Sequence, residues 1–340
     1  MKTLRACHLM DLRMRIFPLC LKKLPLSCFR MDRLKLDTHP LLNESVIAAL
    51  NREKIFTAKD FILCDSQKLA KISLLVFKEI LVLKKYLTKK YAAISKNAYD
   101  QYKDSIINSA IIPSGIQSID EFLEGGLLTS NIYEICGQAA SGKTLFAYTF
   151  IKFIVLEMKQ NCFYLDTKND FSAEKLSLLC REYSKDDISK GLSKIFIQSI
   201  ETKYDLLNGL QELVHKLENN FCIRMIIIDS LAAVILNNSK ISENNLILSH
   251  LARLMHFIAT KYHVVFLVTN LVTSWMEGDF SAQLGSKTTI ACGKYWYTVP
   301  NTRINLKIDK SSLILHIERS NVLSSRSITV PFKDIVSNVC

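Results

Sequence analysis

Long apolar runs are missing from this chain of 340 residues. No stretch approaches the roughly 20 apolar residues that would cross a bilayer as a helix, so a soluble protein with no membrane partner is expected. Paired cysteine spacing is missing too. Ten cysteines are present, yet no two are separated as C-x-x-C. Nothing reads as a zinc site or a disulfide framework, and reduced intracellular thiols follow. The seven histidines form no H-E-x-x-H or similar cluster, which argues against a protein-bound transition metal. What is present is apolar mass: 49% of the residues are hydrophobic, enough for a sizeable core. The length suggests one large domain and one small one.

Acidic residues are scarce at the front of the chain. Of the formal net charge of +12, residues 1–30 carry seven Lys/Arg against one acid, residues 31–100 thirteen against eight, and residues 101–340 twenty-four against twenty-three. The basic character therefore precedes a nearly neutral main domain. A core that coats DNA would be expected to carry a basic stripe, and the even balance makes that reading weaker.

Residues 1–30 are Arg/Lys-rich, acid-poor and broken by Pro18 and Pro25. That composition overlaps with a transit peptide, but Ser27 is the one serine, and the alternatives are an unstructured leader or a start upstream of the true one at Met31. Residues 31–90 read as a small helical domain. Asn43 or Ser45 can cap a first helix, Asp65 or Ser66 a second, and residues 73–86 place Leu74, Phe77 and Leu81 at helical spacing. Lys84, Lys85, Lys89 and Lys90 close that last helix, either as favourable charges at its carboxyl end or as contacts to DNA. Residues 91–105 form a polar, tyrosine-containing linker, and 106–340 the main domain. There, short apolar strands at 131–136, 162–166, 195–200, 225–229 and 264–269 alternate with helices at 143–158, 172–180, 206–217 and 246–262. Such alternation implies an α/β domain with a mostly parallel sheet covered on both faces. Strands at 303–308 and 313–317 read as an antiparallel hairpin on the sheet edge.

Gly137-Gln138-Ala139-Ala140-Ser141-Gly142-Lys143-Thr144 matches G-x-x-x-x-G-K-[ST] in full, between a strand and a helix. In such a P-loop the glycines let backbone amides turn towards phosphate oxygens, the lysine reaches the β- and γ-phosphates, and the hydroxyl ligates Mg²⁺. The helix that follows offers its amino terminus to the anion. The expected ligand is ATP with Mg²⁺. Met225-Ile226-Ile227-Ile228-Asp229 is a buried strand ending in a carboxylate that can hold Mg²⁺ or, alternatively, cap the next helix. Lys143 and Asp229 are the expected catalytic groups, and Thr144 and Asp229 the expected metal ligands.

Four further stretches carry a family resemblance. Pro113-Ser114-Gly115-Ile116-Gln117-Ser118-Ile119-Asp120, running on to Gly125-Gly126-Leu127, resembles the segment that precedes the P-loop in RecA-like eukaryotic recombinases. Tyr164-Leu165-Asp166-Thr167 resembles that family's YIDTE, and Val268-Thr269-Asn270 its VTNQ. The stretch from Gly293 through Trp296, Val299, Pro300 and Thr302 to Ile304 resembles one branch, the D paralogue of the strand-exchange recombinase. The resemblance implies a RecA-like ATPase core behind a short helical domain. It also implies a nuclear role in DNA repair by homologous recombination, sibling paralogues as partners, and weak binding of single-stranded or branched DNA.

The departures refine these expectations. Where active members of the family carry a glutamate that activates the attacking water, this chain has Lys168, and their γ-phosphate-sensing glutamine is Leu271. Lysine cannot act as that base at neutral pH without a large pKa shift. Asp170 and Glu174 lie nearby but off register. At most weak DNA-dependent ATPase activity follows. The segments expected at a filament axis, 236–245 and 271–294, have balanced charge, with Lys240 opposite Glu243 and with Lys287 and Lys294 against Glu277 and Asp279. Trp275, Tyr295, Trp296 and Tyr297 either stack on bases or pack in the core or an interface. Tyr91-Ala92-Ala93-Ile94 matches the place where the family inserts an aromatic and a small residue into a neighbour, or else Tyr91 packs on its own bundle. The leading expectation is an ATP-binding paralogue that assists recombinase loading on single-stranded DNA. The alternatives are a self-assembling, strand-exchanging DNA-dependent ATPase and a small-molecule P-loop kinase.

Overall fold

Caps decide where the helices of the amino-terminal unit begin. The structure, a computed structural model, describes residues 33–91, 95, 97–236, 241–275 and 287–335. The expected leader therefore lies outside the described residues, as do residues 92–94. The chain divides into two compact units, with the boundary between Asp104 and Ser105. In the first, Asn43 accepts from the Val46 amide and starts α1 (Glu44–Arg52). Thr57 and Asp60 form a reciprocal capping box on α2 (Ala58–Leu63), a helix absent from the sequence reading. Asp65 caps α3 (Ser66–Ile72). The next helix starts later than its apolar spacing suggests. Leu74 adopts φ +58, and the Glu79 carboxylate accepts from the Val76 amide, so α4 spans Phe77–Tyr91. Leu42, Val46, Leu50, Phe61, Leu69 and Leu83 are among the side chains that close this small core. Tyr91 packs against the same cluster, which favours the bundle reading of that residue over the anchor reading. Lys84 turns inward to donate to the Cys64 carbonyl at the end of α2, while Lys85, Lys89 and Lys90 stay exposed. The stretch expected to be a linker runs into α5 (Ala98–Asn108), which extends past its expected end at 105 and none of whose residues is buried.

The second unit begins with a ribbon of β1 (Ile111–Ile112) and β2 (Leu127–Leu128), paired antiparallel around α6 (Gln117–Phe122). The motif upstream of the P-loop builds this ribbon. The Ser114 amide and hydroxyl both donate to Asp120 Oδ1, at 2.6 and 2.8 Å. Gly126 has φ +131, and a Cβ there would collide with the Ile112 backbone.

The large sheet follows the expected alternation. After β3 (Ile132–Gly137) and α7 (Lys143–Lys152) come a π-helical turn over Phe153–Glu157 and β4 (Cys162–Asp166). Then come α8 (Ala173–Leu179), α9 (Lys185–Leu192), β5 (Ile195–Ser199), α10 (Lys203–Glu218) and β6 (Met225–Asp229). The chain continues through α11 (Leu231–Ile235), α12 (Ile241–Tyr262), β7 (Val265–Trp275), β8 (Lys287–Ile290) and α13 (Gly293–Tyr297). It closes with β9 (Thr302–Asp309), β10 (Ser312–Ser320), β11 (Ser327–Pro331) and α14 (Phe332–Ile335). The strand order is β11-β10-β9-β3-β7-β6-β4-β5, with β8 on β7. Strands β3 to β7 run parallel, and β9 runs parallel to β3.

Alternation along each strand feeds two cores. Met225 and Ile227 join the layer with α7 and α8, whereas Ile226 and Ile228 join the layer with α10 and α12. This is the mostly parallel α/β architecture expected from the sequence. Two elements differ. The expected edge hairpin sits further in, because β9 pairs with β3 as well as β10 and leaves the edge to β11. The single helix expected over 143–158 changes at Phe153 to a wider turn that buries three consecutive residues, Ile154, Val155 and Leu156. An α-helix would spread those over more than half its circumference.

Candidate phosphate and metal site

β3 ends at Gly137, where a Cβ would lie 2.5 Å from the Leu306 carbonyl oxygen, so the strand can pass β9 this closely only as glycine. The loop then turns back through Ala140 at φ 59 and Gly142 at φ 84 to start α7 at Lys143. Lys143 is buried. Its ammonium donates to the Gly137 and Gln138 carbonyls at 3.1 and 2.5 Å and to Ser141 Oγ at 3.3 Å. Burial, and then repulsion from Lys168, push its pKa down. The loop residues Gln138, Ala139 and Ala140 keep their side chains exposed, so the cradle is made of backbone.

The fold brings Thr144 and Asp229 together. Thr144 Oγ1 donates to Asp229 Oδ2 at 2.5 Å, although the two are 85 residues apart in sequence. Asp229 is fully buried at the end of β6. Three more donors reach it: Tyr164 OH on Oδ2 at 2.9 Å, Thr269 Oγ1 on Oδ1 at 2.6 Å, and Lys168 Nζ on Oδ1 at 2.9 Å. Burial alone would raise the Asp229 pKa. The Lys168 ammonium and the hydroxyl donors outweigh it and hold the carboxyl below the usual carboxylate range. Burial and the neighbouring Asp229 charge push the Tyr164 phenol far up, so it stays a donor.

Lys168 sits on a loop with its own scaffold. Asp166 Oδ1 accepts from the Lys168 amide at 3.1 Å and Oδ2 from the Phe171 amide at 2.9 Å. Thr167 Oγ1 donates to the Ser230 carbonyl at 2.8 Å and accepts from the Ser230 amide at 2.6 Å. Asp170, offered by the sequence as a nearby acid, lies 3.4 Å from the Lys168 ammonium. Lys168 is thus bound to the very carboxylate that the motif assigns to the metal, an interaction that sequence spacing could not reveal.

A second polar cluster lies one layer behind the loop. Glu134, buried in β3, accepts from Trp296 Nε1 and Asn270 Nδ2, each at 2.7 Å, and from Arg303 Nε at 2.5 Å. Trp296 is fully buried, which overturns its candidacy for base stacking: its indole N–H is spent on Glu134. Tyr295 and Tyr297 remain about two-fifths exposed, with Tyr297 stacked against Arg303 at 4.4 Å. The Arg303 Nη1 and Nη2 atoms find no hydrogen-bond partner among the described residues, so that ring is their neighbour. The sequence reading missed Glu134. Its signal was an acid in the middle of an otherwise apolar strand. Leu271 is half-buried against the α12 layer.

The flanking segments are less informative. Lys240 lies outside the described residues; Glu243 pairs with Lys203 at 2.8 Å and accepts from Tyr204, because the first turn of α12 faces α10. Residues 276–286, with Glu277 and Asp279, lie outside the described residues, as does the side chain of Trp275. Among the described residues, no group of three or more His, Cys, Asp or Glu could hold a metal, and no helix is long and apolar enough to cross a membrane.

The chain is similar to known proteins over most of its length. The Rad51 family model matches residues 105–330. Over 306 residues the chain is 26% identical to DNA repair protein RAD51 homolog 4 of Mus musculus, covering 87% of this chain and 91% of that protein. Over 334 residues it is 23% identical to DNA repair protein RAD51 homolog 2 of Homo sapiens, covering 88% and 85%. Probable DNA repair protein RAD51 homolog 4 of Dictyostelium discoideum is 22% identical over 283 residues, covering 71% and 78%. With a family match over most of its length, a mostly parallel sheet, and a P-loop facing a strand-end aspartate, the chain belongs to the Rad51 family.

Proposed function

We propose that this chain binds ATP and Mg²⁺ at the Gly137–Thr144 loop and acts in the nucleus in homologous-recombination repair of DNA. It would serve there as a D-type recombinase paralogue, a subunit of a complex of sibling paralogues that assists recombinase loading on single-stranded DNA. Several observations support the reading. The loop backbone and Lys143 suit a polyphosphate. The Thr144 hydroxyl and the Asp229 carboxylate, in contact with each other, are the hard oxygen donors that Mg²⁺ selects. When bound there, Mg²⁺ would neutralise phosphate charge. Proteins named for DNA repair align with most of the chain.

One observation carries the choice of an assembly subunit over a self-sufficient ATPase. Position 168 presents an ammonium, paired with Asp229, where a carboxylate would be needed to activate water. The chain orients and holds the nucleotide but lacks the base that would turn it over quickly. ATP binding tests the site directly. Lys143→Ala should weaken binding by about 10- to 100-fold, the cost of one charged hydrogen-bonding partner, with circular dichroism unchanged. Equal affinity in both proteins would remove Lys143 from the site. Co-purification with sibling paralogues, with ATPase assays alone and in complex, tests the role: a free chain turning over at about 1 s⁻¹ or faster would contradict it.

A further inference from the structure

Four donors meet at Asp229. A carboxylate offers about four lone-pair sites, and Thr144, Tyr164, Thr269 and Lys168 occupy them two to each oxygen. Of the four donors only Lys168 carries charge. Its side chain is also open to solvent, 34% exposed where Asp229 is 0%. The loop that carries it is fixed from both ends, by Asp166 below and by the paired Thr167–Ser230 hydrogen bonds beside it. The ammonium is therefore held on the metal carboxylate by the fold, and its repulsion is felt by Lys143.

A P-loop site ordinarily needs a divalent cation because a polyphosphate and a bare buried carboxylate repel each other. Here that carboxylate already has a cation, and a second ammonium, Lys143, shares the same space. We propose that Lys168 is a tethered counter-ion at the metal carboxylate, so that this chain holds a nucleoside triphosphate nearly as well without Mg²⁺ as with it. The inference rests on the nucleotide reading given above. It goes beyond that reading by assigning Lys168 a positive role, distinct from the lack of a base.

The test is a fluorescence titration of the full chain with a fluorescent ATP analogue, in excess Mg²⁺ and in excess chelator. The wild-type affinity should fall by less than about threefold on chelation, whereas Lys168→Gln should lose about tenfold or more. Lys168→Arg, which keeps the charge, should behave like the wild type. A wild-type chain that loses about tenfold or more on chelation overturns the proposal whatever the variants do. So does a Lys168→Gln protein as indifferent to Mg²⁺ as its parent. Failure to bind the analogue in either condition removes the nucleotide reading, and the proposal with it.

Discussion

At position 168 a lysine ammonium lies 2.9 Å from Asp229, and in the reading proposed above it stands in place of the carboxylate that would activate the attacking water. Lys168→Glu is expected to raise ATP turnover by up to about a hundredfold, within the range a positioned general base contributes. It should do so only at high Mg²⁺, because the new carboxylate would face Asp229 without a cation between them. Single-turnover hydrolysis across a Mg²⁺ series checks this; no gain at any Mg²⁺ concentration would mean that the base is not what the site lacks. At this scale much was legible in the sequence. The eight residues of the loop could be named as candidates because the loop's backbone turn dictates their spacing, and Asp229 because an apolar strand ends in it. The partner of Lys168 could not, since the contact joins the ends of two strands whose adjacency appears only in the folded sheet. Trp296 was legible as a position but not as a role. An indole in a polar segment serves a core or a ligand equally well until its N–H is seen to reach Glu134.

The elements behind the loop are held by that buried carboxylate. Trp296→Phe keeps the aromatic volume but removes one of three donors to Glu134, and should cost about 1–3 kcal/mol. Faster amide exchange in β3 and α13 would report the loss, and unchanged protection in both would show that the indole only fills space. Gly126→Ala tests the ribbon of β1 and β2. With φ at +131 and Ile112 backbone against the new methyl, the ribbon must open. Accelerated exchange over residues 110–128, with β5 and β6 protected as before, is the expected pattern. The helix α2 and the π-helical turn escaped the sequence reading for different reasons. The first is six residues long, too short for periodicity to declare itself. The second breaks the periodicity that defines a helix in sequence.

For the whole molecule, the two units predict two separable contacts. Residues 31–97 and 98–340, expressed separately so that α5 stays intact, are expected to capture different sibling paralogues. Capture of the same sibling by both, or long filaments of the full chain with ATP, would contradict a linear hetero-assembly. The sheet order also imposes a sequence of events in time. β3 delivers the Gly137–Thr144 loop, yet its neighbours β7 and β9 supply partners only at residues 266–271 and 302–306. Synthesis runs from the amino end, so the ribosome releases Lys143 well before either neighbour exists. Until Arg303 emerges, Glu134 lacks its buried cation. The loop is among the first functional parts of this domain to be made, and its strand among the last to be enclosed.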